Sequence, residues 1–563
     1  MDLDAALRAH VRPGMRLHLT TQARAATRAV QRVFAGQPME FDLLMGRIGG
    51  GHGADLVASG LVKSVVGGSY GAVSKGYTGP LPQVQKAFVS GQVRFSHWTF
   101  MTFTQRLMAA AQGLPFLPTR SLLGSSMARD NAPDYALLPD PSAPVGSGAR
   151  IGTVSALHPD LSIVHVLACD EDGNAIMVPP LEDGAWGPKA AREGAIVTTE
   201  HVVSREFIRA HAHLVRLPAR YVKAVCHVPC GAHPGPFGSH VLPELGQYAE
   251  DEAFNERYFK LARDPAALAQ FVAEWITVPT HAQYLDKLGG ARMDALKAAA
   301  TERRSAAEIP AVAELARRVD AQRPVEPNEA LMTLALREVL RLIAANGYDA
   351  MQMGAGLSEV PVTAAWTLLR ERGAAPALIM GHGYYDFPPF PGHSEPDAAS
   401  TRMICDAFDL YAVYFAGRPG GTLAVLGTAQ VDRMGNANST VVGGKLMVGS
   451  GGANDAASVC DTVIVTGLSR RKMVEAVEYI TVPPARLRAV VTERGVFERD
   501  AAHGRLVLTR YYAAPGESRE AVLADIAANL GWELEVARDL AAAAPPTAEE
   551  LGAIRFLMPP RYQ

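Results

Sequence analysis

The chain has 563 residues, 48% of them apolar and 20% charged, which is enough for two or more domains, each with its own core. Its 54 basic and 57 acidic residues leave a formal net charge of −3 without a long run of one sign, so nothing points to nucleic acid or an anionic membrane surface as a partner. The N-terminal residues mix acids and bases, no apolar run is long enough to span a bilayer, and the five cysteines are irregularly spaced; the expected location is cytoplasmic, in a reducing compartment without disulfides.

The apolar spacing predicts a helix over residues 3–9, a strand Arg16-Leu-His-Leu-Thr after Pro13-Gly14, and an alanine-rich helix over 24–34. Phe41-Asp-Leu-Leu-Met then runs straight into Gly46-Arg-Ile-Gly-Gly-Gly-His-Gly53 and a helix from about Ala54. Strand, glycine loop and helix in that order form the βα turn of an α/β fold. The pattern repeats at Leu61-Val-Lys-Ser-Val-Val66, which ends on Gly67-Gly-Ser-Tyr-Gly71. Such turns sit at the carboxyl edge of a parallel sheet, where ligands bind. The loop from Gly46 lacks the Gly-Lys-Ser/Thr ending of a Walker A motif and fits the dinucleotide spacing poorly.

Gln92-Val-Arg-Phe-Ser-His-Trp-Thr-Phe100 is followed by a helical Arg106-Leu-Met-Ala-Ala-Ala and by Gly113-Leu-Pro-Phe-Leu-Pro-Thr-Arg-Ser121. From 151 to 228 apolar strands alternate with turns, among them the acidic hairpin turn Asp170-Glu-Asp-Gly-Asn174. Cys226-His-Val-Pro-Cys230 stands just before Gly231-Ala-His-Pro, but this wide cysteine spacing with no second ligand pair argues for buried cysteines and no metal. Charged helices fill about 255–322, after which Arg323-Pro-Val-Glu-Pro-Asn-Glu329 breaks the pattern. This is the expected linker, dividing the chain into domains 1–322 and 323–563.

The second half opens on a helix over 329–345 capped by Asn328, then strand Ala350-Met-Gln-Met, turn Gly354-Ala-Gly-Leu-Ser-Glu-Val-Pro361 and a helix over 362–372. A single strand is expected over 377–385, before a proline-rich loop over 388–396 whose Glu395 and Asp397 read as surface acids. Two glycine-studded motifs follow: Gly427-Thr-Ala-Gln-Val-Asp432 leading to Gly435-Asn-Ala-Asn-Ser-Thr440, and Gly449-Ser-Gly-Gly-Ala-Asn-Asp455. Glycine and asparagine at this density let a backbone come close to a ligand.

Those two motifs resemble the second half of the family I CoA-transferases, in the glutaconate CoA-transferase branch. The passage from Gly51 to Lys63, the Phe-Ser-His, Arg-Leu-Met-Ala and Gly-Leu-Pro-Phe order, and the Gly-Ala-His-Pro loop are similar to the family's first subunit. Tyr479-Ile-Thr-Val-Pro-Pro and Val490-Val-Thr-Glu-Arg-Gly-Val-Phe497 are similar to its closing strands. The resemblance implies an α/β fold of two CoA-transferase-type domains, alpha-subunit type and beta-subunit type, fused in one chain. Each would be a mainly parallel sheet flanked by helices, with the active site in the cleft between them. It also implies coenzyme A as part of an acyl-CoA substrate, a carboxylic acid co-substrate, no metal, and a homodimer or higher homo-oligomer.

In such enzymes a glutamate attacks the thioester, and backbone N–H groups stabilise the tetrahedral oxyanion. The resemblance assigns oxyanion and CoA binding to Gly354, Gly356, Gly451, Gly452, Ala453 and Asn454, and substrate binding to Gly51, Ser96, His97 and Gln430. The glutamate normally stands in a Glu-Ser-Gly or Glu-Ala-Gly triplet, and the corresponding place here reads Gly381-His382-Gly383. Glu359 is one substitute, either a relocated nucleophile or a helix N-terminal acid favoured by the dipole. His382 is the other, either a general base toward water or a histidine satisfied by a backbone carbonyl. Related ring-opening hydrolases carry a glutamate near the Phe-Ser-His motif, where this chain has Arg94. The expected activity is CoA transfer between carboxylic acids; the alternatives are a hydrolase acting on a thioester or on a carbon–carbon bond in retro-Claisen fashion, and a catalytically silent CoA-binding protein. Phe95, Trp98 and Phe100 would favour a bulky or cyclic acyl group.

Overall fold

The structure is a computed structural model that describes residues 1–49, 52–74, 77–301, 305–320, 322–391 and 400–558. The chain divides into two compact units. The first holds Met1–Thr119, Arg129–Arg303 and Gly444–Gly451, and the second Arg120–Ala128, Arg304–Gly443 and Gly452–Gln563. Each unit therefore carries one short segment from the other half of the sequence.

In the first unit, strands Arg16–Leu19, Phe41–Leu44, Val62–Gly67 and Arg94–His97 pair in parallel in that order. On the other side of Arg16–Leu19 lies Leu161–Cys169, again parallel, followed by Ala195–Val202 and Val222–His227. All nine residues of Leu161–Cys169 are buried, as expected of a strand inside a parallel sheet covered on both faces. The turn at Asp170 closes an antiparallel hairpin onto Ala175–Ile176, its carboxylate accepting from the backbone N–H groups of Gly173 and Asn174. The helix Arg24–Val33 packs Ala25, Ala26, Ala29 and Val30 into the core. The inserted segment from residue 444 is bound by backbone: Val448 O accepts from Tyr70 N at 2.9 Å, and Leu446 is fully buried.

The second unit is built on a ten-stranded sheet. Ala377–Met380, Ala350–Met353, Thr422–Gly427, Asp461–Val465 and Leu487–Val491 run parallel, and Gly495–Arg499 and Leu506–Tyr511 follow antiparallel. Its opening helix is Pro327–Asn346, capped by Glu326 rather than Asn328. Proline at the first helical position loses no bond, because that N–H would have no helical partner. The helix expected over 362–372 is Glu359–Arg370, with Pro361 in the first turn for the same reason. The single strand expected over 377–385 is two, Ala377–Met380 and Tyr384–Tyr385, paired antiparallel about a tight turn. Residues 479–484 form no strand and contribute one isolated bridge, Ala437 to Val482. Among the described residues no helix is long and apolar enough to cross a membrane.

Candidate active site

Two adjacent parallel strands of the second unit end side by side, with Met353 in register with Met380. After Met353 the chain turns through Gly354, whose N–H donates to Val425 O at 2.8 Å, and Gly356, whose φ of +82° lies in the left-handed region that glycine tolerates. The next helix begins at Glu359, and this side chain reaches back so that its Oε1 accepts from Gly356 N–H at 2.8 Å. Glu359 thus closes its own turn, at a helix N-terminus where a carboxylate is favoured. The N–H of Gly356 is already engaged by that carboxylate.

After Met380 the chain reverses through Gly381-His382-Gly383, with Gly383 N donating to Met380 O at 3.0 Å. His382 stands half-buried in this turn, at the carboxyl end of a parallel strand. A Cβ at Gly381 would overlap the hydroxyl oxygen of Tyr411, and a Cβ at Gly452 would overlap the same oxygen. The phenol therefore fills a slot bounded by two glycine backbones. Tyr411 is 2% exposed and belongs to a π-helical segment, Asp409–Phe415, a form that occurs disproportionately at functional sites. Gln352, buried on the central strand, donates Nε2–H to Tyr411 Oη at 2.9 Å. Burial, followed by the charge of Asp455, pushes the Tyr411 phenol far above its ordinary value, so it stays neutral. Its own proton has no acceptor among the described residues, and Gln352 Oε1 likewise has no partner there.

The motif around Gln430 is arranged in the opposite way. Gln430 Nε2 donates to Arg471 O at 3.1 Å, and its Oε1 accepts from Asn438 Nδ2. Asp432 accepts from the N–H groups of Met434 and Asn436, and Asn438 Oδ1 from that of Thr440. Asp432 and Asn438 hold the loop's own backbone, and Gln430 ties it to Arg471.

The second glycine motif passes from one unit to the other between Gly451 and Gly452. In the first unit Gly451 N donates to Gly68 O, and its carbonyl accepts from Phe100 N. In the second, Ala453 opens a short helix, and Asn454 is fully buried, accepting from Leu122 N and donating to Thr481 O, both at 2.8 Å. Asp455 accepts from the Ser121 hydroxyl at 2.7 Å. Ser96 Oγ donates to Asn131 Oδ1 and accepts from Trp98 Nε1–H, both at 2.9 Å. His97 is buried edge-on to Tyr70, and burial lowers its imidazole to about 4, so it is neutral. Trp98 is fully buried beneath the Arg106 guanidinium, whereas Phe95 and Phe100 are half-buried. Gly51, Glu395 and Asp397 lie outside the described residues.

The structure thus brings Gly381, Gly452, Gln352 and Tyr411 together. Sequence reasoning missed Gln352 and Tyr411. Gln352 is one polar letter in an apolar strand, and Tyr411 sits in the unremarkable run Phe408-Asp-Leu-Tyr-Ala-Val-Tyr-Phe. The only signal pointing toward them was the glycine where a nucleophile was expected.

The signature of the coenzyme A transferase family matches residues 1–227. The chain is 28% identical to the A-type polypeptide of glutaconate CoA-transferase from Acidaminococcus fermentans, over 44% of this chain and 80% of that polypeptide. To the B-type polypeptide of the same enzyme it is 31% identical, over 22% of this chain and 53% of that polypeptide. It is 30% identical to the IpdA component of the cholesterol ring-cleaving hydrolase of Rhodococcus jostii, over 37% of this chain and 72% of that one. Among solved structures, the acyl-CoA transferase YdiF of E. coli O157:H7, in a thioester complex with CoA, matches with a TM-score of 0.65 at 15% identity. That match covers 99% of this chain and 97% of that one and is a likeness of fold. The chain belongs to the coenzyme A transferase family, with A-type and B-type halves of the glutaconate CoA-transferase kind fused in one polypeptide. It is an acyl-CoA-processing enzyme of that class.

Proposed function

We propose that the chain hydrolyses an acyl-CoA substrate at the slot of the second unit, without a glutamyl-CoA intermediate. The observation that carries this is the Tyr411 hydroxyl standing where any side chain at Gly381 would begin. A carboxylate has no room there, and the space holds instead a neutral phenol with a proton to donate. In the proposed step water adds its oxygen to the acyl carbon and gives a proton to the His382 imidazole. Tyr411 O–H, held by Gln352, donates to the oxyanion. The carbon–sulfur bond then breaks, CoA sulfur takes the proton from His382, and the free acid leaves. A β-ketoacyl substrate would meet the same groups in a retro-Claisen cleavage. The 30% identity to a protein named as part of a hydrolase favours this reading.

CoA transfer between two carboxylic acids is the second reading, favoured by family membership and by Glu359, which would have to release Gly356 N–H to attack. For either reaction a homodimer or larger homo-oligomer in the cytoplasm is the proposed form. Incubation with a panel of acyl-CoA thioesters, with and without an acceptor carboxylate, followed by intact-protein mass and product analysis, separates the two. Free CoA and a new acid in acceptor-free buffer, with no adduct on the protein, is the expected result. A borohydride-sensitive CoA adduct that disappears in Glu359→Ala would establish transfer instead.

A further inference from the structure

The first unit contains a cavity of about 70 Å³ beside the helix Arg24–Val33, unconnected with the thioester chemistry proposed above. Its walls include Asp4, Arg28, Ala29, Arg32, His281 and Tyr284. Arg28 is only 3% exposed, yet among the described residues no carboxylate pairs with it. Its Nη1 donates to His52 Nε2 at 2.8 Å and to His233 O at 3.2 Å, and its guanidinium lies 3.8 Å over the Tyr284 ring. All of these partners are neutral. Burial, followed by the charge of Arg28, holds His52 well below its ordinary value, and burial raises the Tyr284 phenol.

The carboxylates nearby are already committed. Asp4 pairs with Arg32, Asp2 caps the first helix through Ala5 N, and Asp251 is held by His233 and Arg292. Burial pushes Arg28 downward, but a guanidinium keeps its proton in a protein. Arg28 Nη2 is buried without a hydrogen-bond partner among the described residues. A buried charge left unpaired is strongly unfavourable unless something compensates it.

We propose that this cavity is a binding site for a small oxyanion, a carboxylate or a phosphate, that pairs with the Arg28 guanidinium in its wall. A single water needs roughly 10–15 Å³ of such space, so the cavity takes about five to seven non-hydrogen atoms, room for acetate or inorganic phosphate. Asp2 and Thr280 at its rim are exposed, so the ligand can exchange with solvent.

The test is thermal unfolding and isothermal titration of the full chain with sodium acetate and, separately, sodium phosphate, at constant ionic strength set with sodium chloride. A saturable rise in Tm with one of them is expected, and which one saturates at lower concentration identifies the class. Ala29→Leu fills the cavity and leaves Arg28 in place; it should weaken binding at least tenfold. Val278→Phe, at the rim, serves the same purpose if Ala29→Leu does not fold. Stabilisation by neither salt, stabilisation that never saturates, or affinity unchanged in the filled variants would overturn the proposal.

Discussion

The loop over 427–440 and the slot around Tyr411 are both glycine-bearing parts of the second unit, and they handle polar groups in opposite ways. In the loop, Gln430, Asp432 and Asn438 satisfy backbone and one another. In the slot, a buried phenol proton and the Gln352 carbonyl oxygen have no partner among the described residues. Buried polar groups are nearly always paired, so a leftover pair points to chemistry and a closed network points to scaffolding. The conspicuous motif spends its polar groups on its own fold, and the inconspicuous residues keep theirs.

Substitutions ranked by the stability they should cost test this contrast. Gly381→Glu forces a carboxylate into the Tyr411 hydroxyl; overpacking alone costs about 1–3 kcal/mol, and burying the charge adds to it. A large fall in the urea midpoint is expected, largely recovered in Gly381→Glu/Tyr411→Ala, and an undiminished midpoint in the single variant would show that the slot is not closed. Next, Asp432→Ala strips acceptors from the N–H groups of Met434 and Asn436, at about 2–3 kcal/mol. The folded variant should keep wild-type kcat, and a collapse of kcat at intact stability would place the loop in the chemistry.

The first unit offers a third case. Asp55 is buried with one oxygen accepting from Tyr258 and Gln83 and the other without a partner among the described residues, and burial raises its carboxyl to about 7. Because the folded value lies above the unfolded one, near 3.8, the unfolded state holds fewer protons between them, and stability must fall as pH rises from about 4 to about 7. At ~1.4 kcal/mol per pH unit the full effect is on the order of 4 kcal/mol. Asp55→Asn should flatten that decline in pH-dependent urea unfolding, and an unchanged slope would mean that Asp55 is ionised in the fold. His97, neutral with its value lowered to about 4, acts in the opposite sense: it loses stability as pH falls from about 6.5 to about 4. Its contribution is absent from the Asp55→Asn difference.

Tyr411→Phe should cost least in stability, about 1 kcal/mol, while turnover falls about a hundredfold or more if the hydroxyl supports an oxyanion. Unaltered turnover at near-normal stability would remove Tyr411 from the site.

Much of the α/β order was legible because apolar runs ending on glycine leave few alternatives: Phe41-Asp-Leu-Leu ahead of Gly46, and Ala350-Met-Gln-Met ahead of Gly354, are strands where expected. The family was legible for a related reason, since loops that satisfy their own backbones need particular letters at particular spacings. The run over 377–385 misled, because strand-forming residues flank Gly381 and Gly383 and only the pairing of Met380 with Tyr384 shows the reversal. Residues 479–484 misled in the same way, having strand-like letters but pairing with a neighbouring edge only through the single bridge to Ala437.

Composition, motif spacing and strand–glycine–helix order, all local properties of the chain, were enough to settle the fold class and the family. Tertiary structure alone decided which side chain packs against Gly381. Tyr411 lies 30 residues beyond Gly381, and Gln352 29 before it, and no local pattern couples them; only the packing of a π-helical segment over two strand ends brings the phenol between Gly381 and Gly452. The same holds for the segment Gly444–Gly451, placed in the first unit by hydrogen bonds to residues more than 300 positions away.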